Sequence, residues 1–180
     1  MFVILGVFLG KFWSMRKLTL IRHAKSSWED ISLSDHDRPL NKRGKRDAPF
    51  MAQLMASRGW RPDRLISSTA MRARTTAFEF AEALNIAEED VLLREQIYEA
   101  SSASLINLIT GLDDQWSDVA LFGHNPTFTM VANLFYRNDF LDNLPTCGIV
   151  EIEAPAAKSW AEMSPDNAQV VAVHYPKQYF

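Results

Sequence analysis

An arginine and a histidine, Arg22 and His23, directly follow an apolar stretch of the chain. The preceding residues, 18–21, are of apolar or β-favouring type and predict a short buried strand that ends in a loop. In open α/β sheets, reactive groups gather where strands end. The guanidinium of Arg22 can form two parallel hydrogen bonds to phosphate oxygens, and His23 offers a nitrogen nucleophile. Together they suit attack on a phosphoryl group. Because Arg-His pairs are common, the rest of the chain must support this interpretation.

Two further predicted strand ends also carry ionisable side chains. Residues 64–68 form a short run that leads into a helix, and Arg72 lies near the start of that helix, where the helix dipole disfavours a cation. A bound anion would explain Arg72 there, and a solvated helix arginine is the alternative.

Residues 119–123 predict the clearest strand, and His124 follows it at the entrance to another helix, whose free N–H groups favour anions. A histidine that fills a loop is the alternative for His124.

Helices are predicted between these strands. Asn41 is an expected N-cap for a helix that ends at Gly59, and Pro49 within it predicts either a kink or a later start. Ser101 or Ser102 is expected to cap a further helix. Strands that alternate with helices predict an α/β fold of three layers, α/β/α, in which helices flank a mainly parallel central sheet.

The last part of the chain completes this prediction. Asn125 and Pro126 are typical N-cap and N1 residues for the helix after the clearest strand. Residues 147–153, 159–163 and 169–174 alternate like edge strands or hairpins, so the C-terminal third is expected to supply the edge of the sheet. Nearer the N-terminus, a polar stretch without helical or strand periodicity predicts a loop beside the site, and it spans residues 25–38.

Composition indicates a globular protein with no broad nucleic-acid surface, because the net charge is −3. The length of 180 residues favours a single domain over residues 15–180. Cys147 is the sole cysteine, which excludes an internal disulfide and favours a cytoplasmic location. Residues 1–14 are an apolar extension whose status the sequence leaves open. It is shorter than the roughly 20 residues of a spanning helix and lacks the positive start of a secretory signal, so no membrane association is expected.

Neither a metal nor an organic cofactor is expected. The two remaining histidines, His36 and His174, have no partners at the spacing of known metal-binding motifs. No glycine-rich nucleotide-binding loop is present in the sequence.

Three motifs, in their order and spacing, resemble the histidine phosphatase superfamily, also called the phosphoglycerate-mutase-like family. They are LIRHA at residues 20–24, SSTAMRART at 67–75 and FGHNP at 122–126. The short chain and further matches at 22–26, 37–41 and 97–100 are most similar to the SixA-type phosphohistidine phosphatases. The resemblance implies a phosphoglycerate-mutase-like fold and a metal-independent phosphatase.

The resemblance also implies roles for the site residues. His23 would attack phosphorus with a neutral ring nitrogen and form a phosphohistidine intermediate. Arg22 and Arg72 would clamp the phosphoryl oxygens, to which His124 would add a hydrogen-bond donor. Arg38 would be an auxiliary phosphate ligand, although a salt bridge at the entrance to the first helix explains it nearly as well.

The general acid is the least determined member of the site. Family members commonly place a glutamate in the loop after the third strand, and Glu95 matches that pattern by position. Glu99 is a second candidate, and both can equally be solvated loop residues. An imidazole leaves far more readily than an alkoxide, so neither glutamate need be essential if the substrate is phosphohistidine.

Three functions follow from these observations. The preferred one is removal of phosphate from phosphohistidine in a signalling partner protein, which would dock across an open mouth formed by residues 25–38 and 96–102. The second is a phosphatase or mutase that acts on a small phosphate ester, although the stretch between His23 and Arg72 is short for the lid that a mutase needs. The third is a non-catalytic module that binds phosphoproteins. A monomer is expected.

Overall fold

The computed structural model describes residues 15–137 and 139–180, so the predicted extension over residues 1–14 lies outside the described residues. The strands are β1 Arg16–Arg22, β2 Arg64–Ser67, β3 Leu92–Leu93, β4 Asp118–Gly123, β5 Ile149–Ala154 and β6 Gln169–His174. They form a six-stranded sheet in the order β3-β2-β4-β1-β5-β6. The pairs among β1 to β4 are parallel, whereas β5 pairs antiparallel with both β1 and β6.

Helices cover both faces of this sheet, as predicted. They are α1 Lys42–Ser57, α2 Met71–Leu84, α3 Ser102–Thr110 and α4 Thr127–Leu134. Side chains alternate across β1, so Leu20 packs with the apolar faces of α3 and α4, and Ile21 packs with those of α1 and α2. A buried core therefore lies on each side of the sheet, and the three-layer α/β/α architecture is confirmed.

The parallel strands bring their carboxyl ends to one edge of the sheet. Arg22 at the end of β1 is in register with Gly123 at the end of β4. The chain then continues in step, because the amide of His23 donates to the carbonyl of Gly123 at 3.0 Å and the amide of Ser68 donates to the carbonyl of Phe122 at 2.9 Å. This register places the residues after β1, β2 and β4 side by side.

Helix α1 begins where its N-cap predicts. The side chain of Asn41 accepts a hydrogen bond from the amide of Gly44 at 2.9 Å. Pro49 lies inside the helix, so the expectation of a later start is wrong. The backbone of Lys25 passes close by, because its carbonyl accepts from the amide of Asn41 at 2.9 Å and a Cβ on Gly44 would lie 2.3 Å from the same oxygen.

Asn125 and Pro126 do not play the predicted capping roles. Helix α4 begins at Thr127 with no side-chain cap. Asn125 instead donates to the side chain of Asn143 at 2.8 Å and to the carbonyl of Leu144 at 3.0 Å. Its amide therefore joins the end of β4 to the loop before β5.

The C-terminal third supplies one edge of the sheet, as predicted, and differs from the prediction in one place. Residues 159–163 contain a 3₁₀ turn, Trp160–Glu162, and no strand. Both Trp160 and Met163 are buried, and a spacing of three is the period of a 3₁₀ helix. Strand β5 lies inside the sheet and pairs antiparallel with β6, which is one of the two edge strands. Across residues 15–137 and 139–180, none of the helices has the length and apolarity that crossing a membrane requires.

Candidate active site

A cavity of about 470 Å³ opens at the carboxyl ends of β1, β2 and β4. Five of the predicted site residues contribute to its wall, and they are Arg22, His23, Arg38, Arg72 and His124. The imidazole rings of His23 and His124 lie 5.1 Å apart between centroids, although they follow different strands. The parallel sheet thus assembles at one place the three strand ends that the sequence marked.

His23 is buried, and its ring is held in one tautomer. Its Nδ1 lies 2.7 Å from the carbonyl oxygen of Ala24, so Nδ1 carries the proton and Nε2 keeps its lone pair. Burial lowers the pKa of His23 well below its ordinary value, and His124, Arg72 and Arg22 act in the same direction. At neutral pH the side chain is therefore uncharged, with its lone pair on Nε2.

Arg72 connects His23 to the loop of residues 25–38. Its Nε donates to Nε2 of His23 at 3.3 Å, and its Nη2 donates to Oδ2 of Asp35 at 2.8 Å. Burial alone would raise the pKa of Asp35, but the hydrogen bond and charge of Arg72, with help from Arg38 and Tyr98, lower it to about 2. Asp35 is consequently ionised at neutral pH and fixes the direction of the buried guanidinium.

Two more guanidinium groups face the cavity. Arg38 forms an ion pair with Asp35 and stacks 3.6 Å from the centre of the Trp28 ring. Arg22 donates from Nη1 to the carbonyl of Leu144 at 2.7 Å. Among the described residues, nothing accepts a hydrogen bond from the buried Nε of Arg22 or from the buried Nε and Nη1 of Arg38. Buried donors without an acceptor are costly, and an oxyanion in the cavity would supply acceptors for them.

His124 lies opposite His23 and is also neutral. Burial and the charge of Arg72 lower the pKa of His124 to about 3. Its Nε2 lies 2.8 Å from the hydroxyl of Ser68, which already accepts from the amide of Ala70 at 3.3 Å. If this hydroxyl donates to Nε2, the proton of His124 resides on Nδ1. Within the described part of the chain, Nδ1 is buried and has no hydrogen-bond partner. In that tautomer, Nδ1 is a donor available to a ligand.

The two glutamate candidates occupy different places. Glu95 accepts a hydrogen bond from Thr69 and is not among the residues of the cavity wall. The Thr69 hydroxyl also lies 3.0 Å from Nε2 of His36, so Glu95 is joined to the loop of residues 25–38. Glu99 does line the cavity. The structure thus brings Glu99, and not Glu95, to the cavity that holds the two histidines.

Sequence reasoning missed four residues that orient the predicted ones. Asp35 holds two arginines, Ser68 contacts the ring of His124, Trp28 stacks on Arg38, and Tyr98 donates to Asp35 at 3.1 Å. Ser68 belongs to the second motif and Asp35 lies three residues before Arg38, so both were visible in the sequence. Their partners were not, because those contacts join separate elements.

This arrangement can transfer a phosphoryl group. It presents one neutral nitrogen nucleophile beside three guanidinium groups and a second imidazole donor. Stabilising the charge on the phosphoryl oxygens and aligning the nucleophile are most of what such a reaction asks of a protein. In the part of the chain that the structure describes, no group of three or more His, Cys, Asp or Glu side chains is placed to hold a metal ion.

Comparison with known sequences identifies the family. Residues 18–127 match the histidine phosphatase superfamily (branch 1). The chain is 34% identical over 155 residues to an uncharacterized chloroplastic protein of Arabidopsis thaliana. The aligned residues cover 82% of this chain and 70% of the Arabidopsis protein. The chain is also 30% identical over 166 residues to an uncharacterized protein of Mycobacterium tuberculosis. That match covers 87% of this chain and 100% of the mycobacterial protein. A stretch of 89 residues is 37% identical to phosphoserine phosphatase 1 of Hydrogenobacter thermophilus. That stretch covers 47% of this chain and 39% of the phosphatase.

Solved structures agree with this assignment. A protein of Agrobacterium tumefaciens, provisionally assigned as the phosphohistidine phosphatase SixA, superposes with a TM-score of 0.76 at 29% identity, over 89% of this chain and 98% of that one. A protein histidine phosphatase SixA solved with tungstate shares the fold at 17% identity, with a TM-score of 0.70 over 90% and 98% of the two chains. Since the family match spans most of the chain and the fold agrees, the protein belongs to the histidine phosphatase superfamily and is a phosphatase of the hydrolase class.

Proposed function

We propose that the protein removes phosphate from phosphohistidine in a signalling partner protein, without a metal and through a phosphohistidine intermediate on His23. The observation that carries this proposal is the neutral His23, whose Nε2 faces the cavity beside Arg72. The likeness to a SixA protein assigned as a phosphohistidine phosphatase supports the choice of substrate.

In the first half-reaction, Nε2 of His23 attacks phosphorus. A bond forms between Nε2 and phosphorus, and the bond from phosphorus to the substrate imidazole breaks, with its electron pair leaving on the imidazole nitrogen. The other nitrogen of the substrate ring carries a proton, so the ring leaves as neutral imidazole. Without a ligand, Arg72 donates to Nε2. A bound phosphoryl oxygen takes over that donor and frees the lone pair. Arg22, Arg38 and Nδ1 of His124 supply the remaining donors to the phosphoryl oxygens.

In the second half-reaction, water attacks the phosphorus of phosphorylated His23. The bond from Nε2 to phosphorus breaks, His23 regains its lone pair, and inorganic phosphate leaves with the oxygen of the water. The hydrogen bond from Nδ1 to the carbonyl of Ala24 holds the ring in place through both steps. A nucleophile that keeps one orientation loses little entropy at each attack.

Two of the carboxyl groups near the cavity, those of Asp35 and Glu95, are unsuited to protonate an alkyl leaving group, which favours phosphohistidine over an alkyl ester. An alkoxide must be protonated as it leaves, whereas an imidazole leaves with little protonation. Asp35 cannot supply that proton near neutral pH, because its pKa is about 2. Glu95 is engaged with Thr69 away from the cavity wall. We propose that Glu99, which lines the cavity, is the acid wherever one is needed.

Apolar side chains at the rim support a protein substrate. Trp28 lines the cavity and remains 68% exposed, and Ile31 on the same loop is 94% exposed. Exposed large apolar residues beside a site are typical of surfaces that bind proteins. A cytoplasmic location is also part of the proposal, and it rests on the lone cysteine, Cys147.

A small phosphate ester is the second candidate substrate. Two observations favour it, namely the stretch similar to phosphoserine phosphatase 1 and the position of Glu99 on the cavity wall. In this case Glu99 would donate a proton to the departing oxygen.

One experiment separates these candidates. The protein is incubated, with and without a chelator, with a phosphohistidine protein, a phosphoserine peptide and a panel of small phosphate esters. We expect the highest kcat/KM on the phosphohistidine protein and no effect of the chelator. A higher kcat/KM on a small ester would replace the proposed substrate, and loss of activity in the chelator would overturn the metal-free mechanism.

A further inference from the structure

A second cavity, of about 390 Å³, adjoins the catalytic one, and we call it the basic cavity. The two cavities share Arg22, Lys25 and Thr146 in their walls. The basic cavity adds Arg43, Arg46 and Lys177, so five cationic side chains line it against one acidic side chain, Asp47. The chain as a whole carries a net charge of −3, which makes this concentration of positive charge a local feature.

Two of these cations are held in place before any ligand arrives. Arg46 donates to Oδ1 of the buried Asp47 at 2.6 Å, and its guanidinium lies 4.3 Å from the centre of the Phe180 ring. Arg43 donates to the hydroxyl of Thr146 at 3.2 Å. Cations that are already ordered cost less entropy when they bind an anion.

The two lysines are available for a new partner. Within residues 15–137 and 139–180, neither Lys25 nor Lys177 forms an ion pair. Asp47 is already paired with Arg46 and lies within 3.9 Å of Nε of Arg43. The one acid of the basic cavity is therefore engaged with Arg43 and Arg46 and compensates neither lysine charge.

Part of the catalytic cavity wall comes from a loop that is richer in acidic residues than the basic cavity. The loop of residues 25–38 carries four acidic residues, and they are Glu29, Asp30, Asp35 and Asp37. Asp35 belongs to the cavity wall itself. Asp35 is already paired with Arg38 and Arg72, so the other three acidic residues disfavour an acidic substrate segment along this loop, whereas the basic cavity favours one.

We propose that the basic cavity binds aspartate or glutamate side chains that flank the phosphohistidine of a protein substrate. This inference rests on the proposed function and adds to it the class of sequence that the enzyme selects. The shared wall at Lys25 and Thr146 lets an extended chain run from His23 into the basic cavity. Carboxylates bound there raise affinity before the reaction and are distant from the bond that breaks, so they act mainly on KM.

The test uses two synthetic phosphohistidine peptides that differ only in whether the neighbouring residues are Asp and Glu or Asn and Gln. We expect wild type to show about a tenfold higher kcat/KM on the acidic peptide, largely through KM, and 0.5 M salt to reduce this preference. Lys177→Glu should abolish the preference and leave kcat/KM on the neutral peptide within about twofold. Lys45→Glu, on an exposed part of α1 outside both cavities, is the matched charge control. This variant should keep the preference for the acidic peptide.

Equal kcat/KM on the two peptides in wild type would overturn the inference while leaving the proposed function in place. An equal loss on both peptides in Lys177→Glu would also overturn it. If neither peptide were hydrolysed while a small aryl phosphate was, the proposed function would fail and the inference with it. A preference confined to a small bisphosphorylated compound would assign the basic cavity to a second phosphate instead.

Discussion

At His23, burial and a single backbone hydrogen bond act on the same imidazole. Burial removes the charge, and the bond to Ala24 decides which nitrogen is free. No other described histidine on the cavity wall has this arrangement, because His124 meets Ser68 through Nε2 and keeps its own Nδ1 without a partner. The two histidines are therefore held differently, His23 through Nδ1 and His124 through Nε2.

His23→Ala should lower turnover by at least about 10³-fold, since no neighbouring group replaces the nitrogen. Wild type should carry an acid-labile, base-stable phosphoryl label on His23 during turnover, and the variant should carry none. Mass spectrometry of the quenched enzyme locates the label, and circular dichroism checks that the variant is folded. Substantial turnover by a folded alanine variant would contradict the assignment of His23.

Arg72→Lys should lower kcat by about 10²-fold or more, because an ammonium group cannot contact His23, the substrate and Asp35 in the geometry of a guanidinium. Arg74→Lys, two residues along α2 and away from the cavity wall, is the matched control. Steady-state kinetics on one substrate compares the two. If both variants stayed within a few-fold of wild type, Arg72 would be an ordinary helix arginine.

The two glutamates can be separated by their substrates. Glu99→Gln should lower hydrolysis of an alkyl phosphate by about 10²-fold and leave a phosphohistidine substrate within about tenfold, because only the alkoxide needs a proton. Glu95→Gln should leave both activities within about tenfold, since Glu95 lies off the cavity wall. A large loss confined to Glu95→Gln on the alkyl phosphate would return the role of acid to Glu95.

At the scale of elements, α1 supports the loop that follows His23. Gly44 lets the helix approach the backbone of Lys25, two residues after His23. Alanine normally stabilises a helix relative to glycine by about 1 kcal/mol. Here its Cβ would lie 2.3 Å from a backbone oxygen, which cannot move aside as a flexible side chain can.

Gly44→Ala should therefore destabilise the protein by about 1–3 kcal/mol and lower kcat, because the loop after His23 must shift. Urea unfolding gives the stability, and steady-state kinetics gives the activity. Gln53→Ala, on the exposed face of the same helix, is the control and should change neither. An unchanged or higher urea midpoint for Gly44→Ala would show that α1 can move away without cost.

At the scale of the molecule, the sheet separates two electrostatic environments. Its carboxyl end gathers the cations of the site, and its other end holds Asp118 at the start of β4. Burial raises the pKa of Asp118 to about 6; Lys17 opposes this shift, and Asp63, Glu151 and Glu153 add to it. The folded state thus holds a proton on Asp118 over a range of pH in which the unfolded chain has lost it.

The sign of the effect on stability follows from proton linkage. A group with a raised folded-state pKa stabilises the protein fully below its unfolded value, near pH 4, and that stabilisation is lost as pH rises through about 6. Relative to Asp118→Asn, wild type should therefore lose about 1–2 kcal/mol between pH 4 and pH 7, after allowance for solvent screening of a partly exposed carboxyl. Contributions of His23 and His124 are common to both proteins and cancel.

Urea unfolding of wild type and Asp118→Asn across this range measures the difference. Asp166→Asn, at an exposed aspartate, is the control and should follow wild type at every pH. Parallel curves for wild type and Asp118→Asn would show that Asp118 titrates alike in the folded and unfolded states.

The sequence by itself determined the alternation of strands and helices and the three strand ends with ionisable residues. These are local properties, since apolar periodicity, N-caps such as Asn41 and Ser101, and the order of motifs along the chain need no knowledge of distant contacts. It also indicated the family, because its three motifs lie in the stretch that matches, residues 18–127.

Tertiary structure alone decided how these parts meet. Asp35 reaches Arg72 across 37 positions, Ser68 reaches His124 across 56, and the basic cavity joins α1 to the last turn of the chain. Asn125 also took a tertiary bond in place of its expected cap. Such pairings depend on strand register and on the packing of separate elements, which local patterns do not encode. For the same reason, the sequence could propose two glutamates, whereas the fold decided which of them lines the cavity.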